Sequence, residues 1–129
     1  MMKREIQRAV PFHLAFARVA VGANLTATLA AQIPGDADFE CRYINAQFTS
    51  NLLSVVFRDS GTRLEMMNQA CLIALVTGTG AQPYVLPQPA LFAKNSNIEA
   101  VLTDLSGAPN TVQIVCCGFL LYPAPIGQQ

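Results

Sequence analysis

The chain's only imidazole, His13, lies between Phe12 and Leu14, and histidine is the one side chain whose ordinary pKa suits proton transfer near neutrality. Nucleophilic catalysis needs such a base beside a hydroxyl or thiol, and nothing around His13 in sequence resembles a triad motif, so it reads as a structural residue. Ser60 of Asp59-Ser60-Gly61 lacks the Gly-x-Ser-x-Gly spacing of a nucleophile elbow, and turn chemistry accounts for it. Gly78-Thr-Gly-Ala-Gln82 has the glycines of a phosphate cradle, but no Lys-Ser or Lys-Thr follows, and Pro83 forbids the helix that would complete one. Asp36, Asp38 and Glu40 crowd one stretch without the spacing of a calcium loop, which leaves a solvated acidic turn leading into a strand. Cys41, Cys71, Cys116 and Cys117 show no CxxC spacing. Adjacent strand residues face opposite sides, so Cys116 and Cys117 cannot join one bridge or one metal site, and a lone histidine leaves zinc short of ligands. The four thiols read as buried and reduced. The expectation is no catalytic residue, no metal site and no cofactor, hence no enzyme.

The bulk numbers agree with an interaction role. Of 129 residues, 52% are hydrophobic and 12% charged, about half the roughly 25% charged share of ordinary soluble domains. That apolar content excludes disorder, and 8 basic against 8 acidic side chains exclude a strongly basic nucleic-acid binder. A positive mean hydropathy of +0.35 raises the question of a membrane. No segment supplies about 20 consecutive apolar residues, because prolines, glycines and amides interrupt each uncharged stretch. Lys3, Arg4 and Arg8 before residues 9–23 resemble the start of a signal peptide, but Pro11, His13 and Arg18 fall inside the supposed apolar region. The compartment expected is therefore a reducing cytoplasm, with no membrane and no nucleic acid as partner.

What must position any site is a set of strands. Leu25, Ala27 and Leu29 alternate with Asn24, Thr26 and Thr28, predicting a half-buried strand. After the break at Pro34-Gly35, residues 38–47 alternate again, with an irregularity expected near Ile44. Leu53, Val55 and Phe57 repeat the pattern, and Asp59-Ser-Gly-Thr62 predicts a hairpin turn. Residues 64–76 read as two short strands or an irregular segment. Pro83, Pro87 and Pro89 allow only loop or edge strand. Residues 98–105 and 111–122 close the series, and between six and eight strands with short turns predict an all-β antiparallel sandwich or jelly roll. The spacing in residues 12–19 fits helix and strand equally.

Charge is unevenly placed. Residues 1–18 carry four basic and one acidic side chain, and the remainder four basic and seven acidic, so a basic arm precedes an acidic body. The organisation expected is an arm over 1–20, a sandwich over 21–123 and a tail over 124–129. Lys3, Arg4, Arg8 and Arg18 are the candidate partner-binding residues of the arm, and Gln82, Pro83, Tyr84, Pro87 and Pro89 are candidate loop contacts. So few ions leave neutral or apolar patches to meet other chains, including other copies as a dimer or trimer.

Five ordered blocks carry a family resemblance: Asp36-Ala-Asp-Phe-Glu40, Phe57-Arg-Asp-Ser-Gly-Thr-Arg63, Gly78-Thr-Gly-Ala-Gln-Pro83, Leu86-Pro-Gln-Pro89 and residues 112–118. Over about residues 22–122 the chain resembles virion structural proteins of tailed bacteriophages, in particular jelly-roll cement or decoration proteins. The resemblance implies a protein made in the host bacterial cytoplasm that sits on the capsid exterior and clamps neighbouring major capsid subunits. Two rival readings remain: another virion position, such as a fibre base, neck or tail attachment, and a carbohydrate- or receptor-binding module. The last favours exposed aromatics, and the chain has no Trp and only Tyr43, Tyr84 and Tyr122.

Overall fold

Alternating burial along the chain builds two antiparallel sheets in the computed structural model, which describes residues 8–62 and 64–123. The elements are β1 (Arg8–Ala15), β2 (Val19–Val21), β3 (Thr26–Gln32), β4 (Asp38–Phe48), β5 (Leu53–Asp59), β6 (Cys71–Leu72), the single turn α1 (Ile73–Val76), β7 (Tyr84–Phe92), β8 (Asn97–Asp104) and β9 (Asn110–Tyr122). One sheet has the order β1-β9-β4-β7, with β2 also on β9, and the other has the order β3-β8-β5-β6. With β1 and β2 counted as one interrupted strand, first pairs with last, β3 with β8, β4 with β7 and β5 with β6. That nesting is one long hairpin folded over on itself, the connectivity of a jelly roll.

Each central strand gives every second side chain to the space between the sheets. Leu53, Val55 and Phe57 of β5, Ile98, Ala100 and Leu102 of β8, and Val112, Ile114 and Cys116 of β9 are buried there. Each large apolar side chain so buried contributes about 1.5–3 kcal/mol relative to exposure. On β4 the inward positions are Phe39 and Cys41 and then Ile44. The change of parity comes from a bulge at Arg42: Cys41 opposes Gly118 and Tyr43 opposes Cys117, leaving one extra residue on β4. This is the irregularity the sequence placed near Ile44.

One end of the sandwich is tied by a buried carboxylate. Asp104 accepts hydrogen bonds from the backbone N–H of Asn24 (2.9 Å), Ser106 (3.2 Å) and Gly107 (3.0 Å) and from the Ser106 hydroxyl (2.7 Å). These donors, Asn24 first and the Ser106 hydroxyl next, hold the carboxyl down to about 2 from its ordinary 3.8. A pKa lowered by folding stabilises the fold above the unfolded value, and that contribution is lost as pH falls from about 4 toward 2. Melting temperature should therefore drop across that window, and Asp104→Asn should flatten the drop while lowering stability at neutral pH. An unchanged acid slope in the variant would place the acid lability elsewhere.

The arm boundary needs correction. Arg8–Ala15 and Val19–Val21 are strands along β9, so residues 8–20 belong to the sandwich and not to an extended arm. Periodicity missed this because Ala9, Ala15, Ala17 and Ala20 dilute the apolar alternation. Lys3, Arg4 and the tail 124–129 lie outside the described residues. Leu25 is also misassigned: Asn24 takes a positive φ of 56°, and the turn leaves Leu25 61% exposed just before β3. Among the described residues no helix is long and apolar enough to cross a membrane.

Candidate interaction surface

A two-residue strand cannot cover the core beside it. Where β6 and β7 end their sheets, Met67 and, from α1, Ile73 and Val76 pack against the core. Residues 64–66 continue alongside β5: Asp59 N–H donates to the Leu64 carbonyl (2.9 Å) and Met66 N–H to the Phe57 carbonyl (2.9 Å). The next partner is not backbone. Phe57 N–H reaches the Met67 sulfur at 3.2 Å, a weak acceptor that stands where a strand would supply a carbonyl.

The opposite wall is β7. Cys41 opposes Ala90 and Tyr43 opposes Val85, so residues 86–89 stand against the single residue Arg42. Pro87 and Pro89 cannot donate to a ladder, and the chain bulges where they sit. Between these walls runs a groove of about 360 Å³ whose lining includes Phe57, Met66, Met67, Tyr84, Leu86 and Pro87. Met66 is itself exposed, and on the flanking segments Leu64, Leu72, Leu75, Val85 and Leu91 are exposed as well, six of the ten large apolar side chains so exposed among the described residues, with Leu64 at 70% and Leu75 at 68%. Leu72, Val85 and Leu91 take the outward positions of β6 and β7. Exposed apolar groups concentrated on the elements beside a groove suit a contact surface, and thioethers suit a groove that must adapt to its occupant.

The sequence-based contact residues meet here in part. Tyr84 pairs opposite Ile44 and, with Pro87, lines the groove. Tyr84, Pro87 and Pro89 belong to an edge strand rather than to a loop, whereas Gln82 and Pro83 precede it. Gln82 closes a turn in which its N–H donates to the Thr79 hydroxyl (3.0 Å) and its carbonyl accepts from Thr79 N–H (3.0 Å). Gly78 is required at the start: a Cβ there would stand 2.2 Å from the Gln82 carbonyl oxygen. Leu64, Met66, Leu72 and Leu75 were missed, because an irregular apolar stretch reads as core until the pairing of β5 with only two residues of β6 is known.

Of the basic candidates, the two among the described residues, Arg8 and Arg18, stand at opposite ends of β1. Arg8 begins β1 with its guanidinium 4.8 Å from the Tyr122 ring. Arg18 follows the other end of β1 and borders a shallow polar depression of about 260 Å³ with Gln47, Thr49 and Gln113. Of the acidic group, Asp38 accepts the Lys94 N–H (3.0 Å) and Glu40 pairs with Arg42 at 2.7 Å. Among the described residues no cluster of three His, Cys, Asp or Glu could hold a metal ion.

His13 lies on the outer face of the β1-β9-β4-β7 sheet, where its Nδ1 stands 3.3 Å from the Cys117 sulfur. With Asn45, Gln47 and Gln113 they line a depression of about 520 Å³. The Asn45 amide nitrogen donates to the Thr79 carbonyl (3.0 Å), since the reverse orientation would oppose oxygen to oxygen. A Cys-His-Asn grouping invites comparison with thiol catalysis, but burial, and secondarily Cys41, pushes the Cys117 thiol up. An activated nucleophile needs the reverse. Cys116, on the core side, is also raised, first by its hydrogen bond with Cys41 and then by burial. The chain therefore combines a jelly roll with one apolar, open side. Compared with family models, curated proteins and solved structures, it matches none.

Proposed function

We propose that this chain is a structural protein of a phage virion, made in the bacterial cytoplasm, that binds the capsid exterior and ties neighbouring major capsid subunits together. The observation that carries the reading is the open β6/β7 side, where a methionine-lined groove and the exposed leucines of the segments that flank it stand on a domain with 12% charged residues. Seated on a shell, that side loses its cost in water, and a ligand of the assembled lattice stabilises the lattice by mass action. Jelly rolls recur in capsid proteins, which agrees with the reading without selecting it over lectins of the same connectivity. Free thiols Cys41, Cys71, Cys116 and Cys117 suit synthesis in a reducing cytoplasm.

The test uses empty shells assembled from the major capsid protein. Purified chain should bind them and raise their melting temperature. Leu64→Glu and Leu75→Glu, at positions too exposed to affect folding, should each weaken binding by about 10-fold or more, the worth of one buried leucine. Unchanged binding by both variants would remove this side from the contact, and a chain that ignores shells but binds a glycan array would make it a saccharide-binding module.

A further inference from the structure

A jelly roll has four edge strands, and in this one three are blunted. β6 has two residues, β7 is broken by its proline bulge, and β1 carries Pro11. The Phe16 N–H to Ile114 carbonyl bond (2.9 Å) fixes which residues of β1 face β9: the even-numbered ones, in register with Phe16. Pro11 therefore sits at an outward position, where its missing donor prevents a further strand from pairing.

β3 has none of these devices. Its seven residues, Thr-Ala-Thr-Leu-Ala-Ala-Gln, contain no proline, no glycine and no charge, and they pair with β8 without a register shift. Two bonds set its orientation: Asp104 N–H donates to the Leu25 carbonyl (3.0 Å) and Ile33 N–H to the Ser96 carbonyl (2.8 Å). Both lie in the same register as β3 with β8, so odd-numbered residues bond to β8. The N–H and C=O of Thr26, Thr28, Ala30 and Gln32 point away from the sheet. Among the described residues no backbone group pairs with them.

From this edge we infer that two copies of the chain pair through β3, antiparallel about a two-fold axis at Leu29, joining two four-stranded sheets into one of eight strands. The occupant is a second copy because the strand is matched to itself. Centring the axis on Leu29 sets Thr26 opposite Gln32 and Thr28 opposite Ala30, which uses all four outward residues on each copy and makes about eight hydrogen bonds. Shifting the axis by a residue either way leaves fewer pairs. No like charges meet across such a seam, and the nearby Glu99 is already held by Arg58 at 2.7 Å. Leu29, only half-buried at the open edge, would pack against its twin. The inference does not depend on the capsid reading.

Light scattering on the full chain should report a dimer that dissociates on dilution through the micromolar range, as befits a seam about 24 Å long. Thr28→Pro and Ala30→Pro remove outward donors without touching the β8 ladder, so each should stay folded by circular dichroism and weaken the dimer at least about 30-fold. Amide exchange checks the wild type independently: the Thr28 and Ala30 N–H groups should be protected at high concentration and exposed on dilution. A 13.9 kDa monomer up to millimolar concentration, or a dimer that persists in both folded proline variants, would overturn the inference. So would protection at all dilutions, which would mean that another segment of the same chain occupies the edge.

Discussion

Gly118→Ala is expected to leave no cooperatively folded protein. A Cβ at Gly118 would stand 1.8 Å from the Glu40 carbonyl oxygen, 2.9 Å from its carbonyl carbon and 3.1 Å from the Cys41 Cα. All three atoms are backbone, so no side-chain rotation relieves the overlap. The bulge at Arg42 brings β4 this close to β9, and these strands form the middle pair of their sheet. Moving them apart would break the ladder on either side of Cys41 and unseat Phe39 and Leu120 from the core. A loss of roughly 4–5 kcal/mol or more belongs to the tail of single-substitution effects and approaches the whole stability of many domains. Circular dichroism and a denaturant melt would decide it, and a variant melting within a few degrees of wild type would show that the bulge is absent.

The second large effect is at Asn110, which is fully buried where β9 begins. Its side-chain oxygen accepts the N–H groups of Thr49 and Ser50, each at 3.1 Å, and its amide nitrogen donates to the Ser50 carbonyl at 2.9 Å. One side chain thus caps the turn between β4 and β5 and fastens it to the other end of the chain. Asn110→Leu keeps the volume and removes all three bonds, leaving the Ser50 N–H and carbonyl without partners while the Thr49 N–H keeps the Thr111 carbonyl at 3.1 Å. The expected loss is about 3 kcal/mol, or roughly 10 °C in melting temperature. Asn110→Asp keeps the acceptor and should cost less. Equal stability of the leucine variant and wild type would mean that solvent replaces the asparagine at no cost.

Both effects concern contacts between residues far apart in sequence, and this separates what was legible from what was not. The strands containing Leu53, Val55 and Phe57, and Val112, Ile114 and Cys116, were legible because a period of two survives in the residues themselves. Which strands would pair was not, since the nested order depends on register between segments that, for β1 and β9, lie a hundred or more residues apart. His13 and Cys117 illustrate the point: both types were visible as chemistry, yet their meeting depends on the β1–β9 register. The proline stretch was read correctly as loop or edge and then treated as loop, because proline forbids a central strand without distinguishing the other two. The open side stayed hidden for an energetic reason. Leu64, Leu72 and Leu75 have the composition of core residues, but Leu72 takes the outward position opposite Ser54, and Leu64 and Leu75 stand exposed on the short segments either side of β6.

The proposed capsid role joins a fold and a surface to a location, and imaging of intact virions tests it most directly. Density for a jelly roll of this size should sit on the outer shell, with the β6/β7 side and its groove against major capsid subunits and at a copy number set by the lattice. Density found only at the neck, the fibre base or nowhere on the particle, or a shell-bound copy with Leu64 and Leu75 facing solvent, would contradict it.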